Sequence, residues 1–223
     1  MMRRFMGAFA VPAAIVAAGI SASPAAAIPG EVRTIEQFGT CLLDAHNQTA
    51  LELLNASTVA DSDDALKRLR GEKSCFTRLP SNSPLDIRIA TLPKDFMRGI
   101  IAGAAVRVSP AAKALQPLAF EQKRYVRPWF AVTGRDSAVD EMSVCVADTD
   151  PAGVLALVNT PTQSADESIA IGGLMPWLGK CLAAGARLQA DRTALRAALA
   201  EALYQRAHNP ALSLPATATE TPK

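Results

Sequence analysis

The sequence predicts an all-α fold: two similar disulfide-closed helical repeats packed together, after a cleaved N-terminal signal peptide and before a disordered C-terminal tail. Three observations predict it. Four cysteines, Cys41, Cys75, Cys145 and Cys181, are spread over 223 residues with nearly repeating intervals. The stretch FGTCLLDAHNQTALELLNAST (38–58) lies without a gap over MSVCVADTDPAGVLALVNT (142–160). Between its breaks, each copy spaces apolar residues at helical intervals.

The N-terminal element is the signal. Arg3 and Arg4 precede an apolar run from Phe5 to Ile20, and small residues then lead to Ala25-Ala26-Ala27, the order of an export signal. Cleavage is expected after Ala27. The run holds Pro12 and Gly19 and is short for a membrane span of roughly 20 residues. Loss of residues 1–27 takes the 23 basic side chains to 21, equal to the 21 acidic ones. A near-neutral chain with only KRLR (67–70) as a basic cluster does not supply the surface that releases counterions from phosphate, so no nucleic-acid partner is expected. No later segment reads as a transmembrane span, so localisation is expected to be periplasmic or secreted.

Outside the cytosol an even cysteine count reads as disulfides. Cys41 to Cys145 is a step of 104 and Cys75 to Cys181 a step of 106, so each copy is expected to close itself as Cys41–Cys75 and Cys145–Cys181. A disulfide across about 35 residues contributes roughly 3–4 kcal/mol in the chain-entropy picture. At an offset of 104, Cys41, Asp44, Leu51, Leu53, Asn55 and Thr58 meet identical residues, and Glu36 meets Asp140. At an offset of 98, MRGIIAGAAV (97–106) meets LRAALAEALY (195–204). The change of offset places extra residues in the first copy, most naturally at Ser81–Pro84. The expected units are repeat 1 (28–114), an aromatic and proline-rich connector (115–136), repeat 2 (137–208) and the tail (209–223).

In repeat 1, Thr34 with Gln37 three residues on has capping-box spacing, opening a helix through Ile35, Phe38 and Leu42. Its counterpart begins near Val139 and stops at Asp150, which caps a second helix with Pro151 in its first turn. Ser164 and Glu167 open a third helix toward Cys181, which Gly172, Gly173 and Pro176 are expected to weaken or kink. Asp191 to Ala207 is the clearest helix, stopped by Asn209-Pro210. In the connector, RYVRPWFAV reads as a short extended segment. Tyr125, Trp129 and Phe130, with Trp177, are expected to pack the repeats together or contact a ligand.

Motifs for specific chemistry are weak. Asp148-Thr-Asp150 imitates a calcium loop, but Asn159 stands where a bidentate Glu is needed. C-x-x-C, G-x-S-x-G, S-x-x-K, H-E-x-x-H and Walker glycine loops are absent, so no catalytic residue, metal or cofactor is assigned. His46 reads as an exposed helix-end residue, and Asp140 and Glu141 point to different sides of their helix. Gly99-x-x-x-Gly103 reads as tight core packing. The function expected is that of a non-enzymatic binding or structural factor with a protein, peptide or lipid-like partner; the alternative is a secreted hydrolase or other enzyme with a dispersed site.

Overall fold

The computed structural model describes residues 34–71, 73–78, 92–121, 123–186, 188 and 190–210. The expected signal peptide, the expected insertion at Ser81–Pro84 and residues 211–223 of the expected tail lie outside the described residues. Every regular element among the described residues is helical: α1 Ile35–Ala45, α2 Asn47–Asn55, α3 Val59–Gly71, α4 Lys73–Phe76, α5 Lys94–Val108, α6 Pro110–Ala114, α7 Phe130–Thr133, α8 Ser137–Thr149, α9 Pro151–Asn159, α10 Ala165–Cys181 and α11 Arg192–His208.

The helix starts follow from their caps. Thr34 Oγ1 accepts from the Gln37 amide while Gln37 Oε1 accepts from the Thr34 amide, a complete capping box. Asp136, Asp150, Ser164 and Asp191 each accept a hydrogen bond from an amide in the first turn of α8, α9, α10 and α11. α10 is continuous from Ala165 to Cys181 with Pro176 inside it, so the proline does not end the helix. The carbonyl that a proline ring opposes belongs to the residue four before it, here the exposed Gly172, so water can take that carbonyl. RYVRPWFAV is non-helical only to Arg127 and then turns into α7; no strand lies beside it among the described residues to hold it extended.

The disulfides pair as the spacing predicts. Cys41 of α1 bonds Cys75 of α4, and Cys145 of α8 bonds Cys181 at the end of α10. α1 packs on α2 and α5, and α8 packs on α9 and α11. The centre of the molecule is the crossing of α5 with α11, where residues 195–205 are buried without interruption, as befits a helix surrounded on all sides. The helices meet at Gly99: a Cβ there would lie 2.2 Å from Ala197 Cβ and 2.5 Å from Ala197 Cα. Only hydrogen at Gly99 permits this approach.

Charges are buried beside the crossing. Arg98 and Glu201 are both fully buried. Arg98 Nε donates to Glu201 Oε1 at 2.7 Å, and its terminal nitrogens donate to the carbonyls of Leu53 and Leu54 at the end of α2. Arg135 donates from Nη2 to Glu201 Oε2 and from Nε to Asp140 Oδ1, and Thr133 Oγ1 donates to Asp140 Oδ2 at 2.7 Å. Burial is the strongest single influence on Glu201 and pushes its carboxyl up, but the charges and hydrogen bonds of Arg98 and Arg135 together hold it below the ordinary glutamate range. At Asp140 burial prevails and the carboxyl is pushed up.

On the α11 side, Arg196 makes a comparable set of bonds. Its Nη2 donates to the carbonyls of Val158 and Thr160 at the end of α9, and its Nη1 to Glu167 Oε1 at 3.0 Å.

Gly99→Ala should lower the unfolding free energy by about 1–3 kcal/mol through overpacking. Gly103→Ala, whose Cβ meets ordinary contacts at 3.7–3.8 Å, should raise it by about 1 kcal/mol; chemical denaturation distinguishes the two. Glu201→Gln should cost about 3 kcal/mol or more at neutral pH, because buried Arg98 loses its anion and Arg135 is left with Asp140 alone. A carboxyl held low in the folded state contributes its stability above the unfolded value and loses it as pH falls through the folded value. The difference between wild type and Glu201→Gln, followed by urea unfolding, should therefore shrink as pH drops below about 4.5.

Candidate functional site

The connector between α6 and α7 is not free of the helices it joins. Arg124 forms a two-pronged pair with Glu141 of α8, Nε and Nη2 each donating at 2.9 Å. The Tyr125 amide donates to the same carboxylate at 3.3 Å. The Leu118 amide donates to the Asp148 carbonyl, and Arg206 of α11 donates to the carbonyls of Ala147, Asp148 and Gln116. The connector is thus laid along α8 from Glu141 to Asp148.

A cleft of about 230 Å³ opens between this strap, α8 and the end of α10. Its floor holds the Cys145–Cys181 pair, and Phe120, Tyr125 and Leu182 supply apolar wall. Lys123, Arg124 and Lys180 line it against Glu121 and Glu141. Lys180 stands 4.8 Å from the centre of the Trp177 ring, and Phe120 tilts on the same ring at 6.3 Å, so cation and aromatic surface lie side by side at the mouth. Burial pushes the Tyr125 phenol up. The lining includes Ser137 but no histidine, and both cysteines are oxidised.

The four aromatic residues expected from sequence divide. Tyr125 is buried and lines the cleft. Trp177 is half-buried and touches two lining residues. Trp129 is 1% exposed, with Phe130 edge-on at 4.7 Å, and α7 rests on α3 and α5. Those two serve packing away from the cleft. Trp129 Nε1 and Arg127 Nε are buried without a hydrogen-bond partner among the described residues.

Sequence reasoning missed a pair outside the cleft. His46, at the junction of α1 and α2, is half-buried, and its Nε2 lies 2.6 Å from Ser74 Oγ on α4. Ser74 adjoins Cys75, and His46 lies five positions after Cys41; the cysteine pairing was the signal that brings them together. Neither residue lines the cleft. No group of three or more His, Cys, Asp or Glu side chains among the described residues is placed to hold a metal ion. No described helix is long and apolar enough to cross a membrane.

No protein-family model, curated protein or solved structure matches this chain.

The tryptophans report the division directly. Trp177→Phe should leave only blue-shifted emission that acrylamide barely quenches, whereas Trp129→Phe should leave the red-shifted, quenchable component. The reverse assignment would mean that the aromatic face of the cleft is misplaced.

Proposed function

We propose that this chain is an exported, disulfide-closed helical binding factor of the periplasm or exterior, built from two similar repeats, and that it does not act as an enzyme. The observation that carries the binding role is the cleft over Cys145–Cys181, lined by Lys123, Lys180, Phe120 and Tyr125, with Trp177 beside Lys180. Export is supported by the N-terminal sequence and by two disulfides with no free cysteine. The repeat is supported by the parallel helix packings and by Arg98 and Arg196, residues 98 apart in sequence, which hold the ends of α2 and α9.

The ligand that suits the cleft is an amphiphile with an anionic group, such as a lipid-like acid or an acidic peptide segment. The anion would meet Lys123 and Lys180, and the apolar part Phe120, Tyr125 and Leu182. Native mass spectrometry of the full chain recovered from its own compartment tests this. A bound mass should accompany the wild type and be lost from Lys123→Glu/Lys180→Glu, with the circular dichroism spectrum unchanged. Equal retention by the variant would refute the cleft as the site.

One observation favours the second reading, a secreted hydrolase: the short Ser74–His46 contact. A serine poised by an imidazole is an activated nucleophile when a third group orients the base. Labelling of the wild type but not of Ser74→Ala by a fluorophosphonate would establish that reading in place of the first. Failure to label leaves the pair as a tie between α4 and the α1–α2 junction.

A further inference from the structure

The two sides of the α5–α11 crossing are built from corresponding residues and finished differently. On one side, Arg98 holds the carbonyl of Leu54, the Glu201 carboxylate fills the space beside it, and Asp140 of α8 lies beyond. On the other, Arg196 holds the carbonyl of Val158 and Glu36 of α1 lies beyond, with Glu36 Oε1 at 3.9 Å from Arg196 Nη2. Arg196 follows Arg98 by 98 residues, as Glu201 follows Gly103; Asp140 follows Glu36 by 104, as Val158 follows Leu54. The residue that should carry the second carboxylate is therefore Gly103, which has no side chain.

What stands in place of that side chain is a shallow groove of about 30 Å³. It runs over Gly99 and Gly103 and is walled by Ile35, Phe96, Ile100 and Val158. Arg107 and Arg196 line it against one carboxylate, Glu36. A Cβ at Gly103 would lie 3.8 Å from Arg107 Nη1, so a carboxylate reaching out from this point meets that guanidinium. Arg107 donates only to neutral oxygens, the Glu36 carbonyl at 3.3 Å and Thr40 Oγ1 at 3.5 Å, and has no ion-pair partner among the described residues. Burial, aided by the Arg196 charge and opposed by Glu36, holds its guanidinium below the ordinary arginine range, as expected of a cation that lacks a close anion.

Glu36 and Arg196 are already engaged. Glu36 Oε1 accepts from the Thr162 amide and hydroxyl, and Arg196 is held by Glu167 and the end of α9. The unspent charge in the groove is that of Arg107.

We propose that the groove over Gly103 binds a small aliphatic carboxylate, its head on Arg107 where the Glu201 carboxylate stands on the opposite side, its chain along Ile35, Phe96, Ile100 and Val158. The site is separate from the cleft over Cys145–Cys181 and does not depend on that cleft's ligand. A guanidinium–carboxylate bond fixes the head, and the apolar walls select an alkyl chain over a polar one.

The test uses the full chain with hexanoate as probe and hexanamide and hexylamine as controls at constant ionic strength, followed by amide chemical shifts. Hexanoate should shift the Gly103 and Ile35 amides saturably, and the controls should bind at least about tenfold more weakly, since a hydrogen bond to a charged group is at stake. Arg107→Gln should weaken hexanoate by a similar factor. Gly103→Glu should abolish hexanoate binding while keeping or raising the melting temperature, because its carboxylate pairs with Arg107 four residues on. Hexanamide binding as tightly as hexanoate, undiminished binding to Arg107→Gln, or no saturable shift with hexanoate would each overturn the proposal.

Discussion

The close crossing of α5 and α11, with a charged pair sealed beside it, is the constraint from which the rest of the fold follows. Gly99 lets the backbones approach until only hydrogen separates them from Ala197. At that separation Arg98 reaches across to Glu201 and back to the open carbonyls at the end of α2. Burying an unpaired ion costs several kcal/mol even after relaxation. Here every partner is supplied: Glu201 has two arginines, Arg98 has an anion and two carbonyls, and Arg135 is tied on to Asp140, which also accepts from Thr133. Such a network tolerates little displacement, since moving any member strands the others. It therefore fixes α2, α5, α8 and α11 relative to one another, together with the turn that precedes α8.

Around that centre the disulfides and caps act locally. Each disulfide holds the N-terminal helix of a set, α1 or α8, to the last helix before the next break, α4 or α10. Their contribution lies mainly in restricting the unfolded chain, a large share of the margin for helices this short. The connector is fastened by Arg124–Glu141 and Arg206, and the cleft exists because that strap stands off the Cys145–Cys181 bridge instead of collapsing on it.

What the sequence made legible was the part governed by local rules or by spacing. The caps at Thr34, Asp150 and Ser164 are one-turn interactions and can be read from residue type. The cysteine pairing was readable because the two intervals nearly match. The charged core was not readable, because Arg and Glu default to the surface and Arg98 meets Glu201 across 103 residues. The equivalence of Arg98 and Arg196 stood in the aligned block, yet helical periodicity draws attention to the apolar positions around them. The aromatic residues were half legible: composition marked the connector as packed, but only the fold separates Tyr125 and, on α10, Trp177 at the cleft from Trp129 and Phe130 against α3 and α5. Likewise His46 and Ser74 meet only because a disulfide brings their neighbours together.

The central claim, that the buried pair at the crossing holds the molecule together as a coupled unit, is tested most directly by a double-mutant cycle. Arg98→Met, Glu201→Leu and the double variant would be unfolded in urea at neutral pH. Each single change leaves the other buried charge short of a partner, whereas the double change removes both, so the double variant should be less destabilised than the sum of the singles by about 2–3 kcal/mol. Additive losses within about 0.5 kcal/mol would contradict the claim, and would mean that Arg98 and Glu201 stabilise the fold independently of each other.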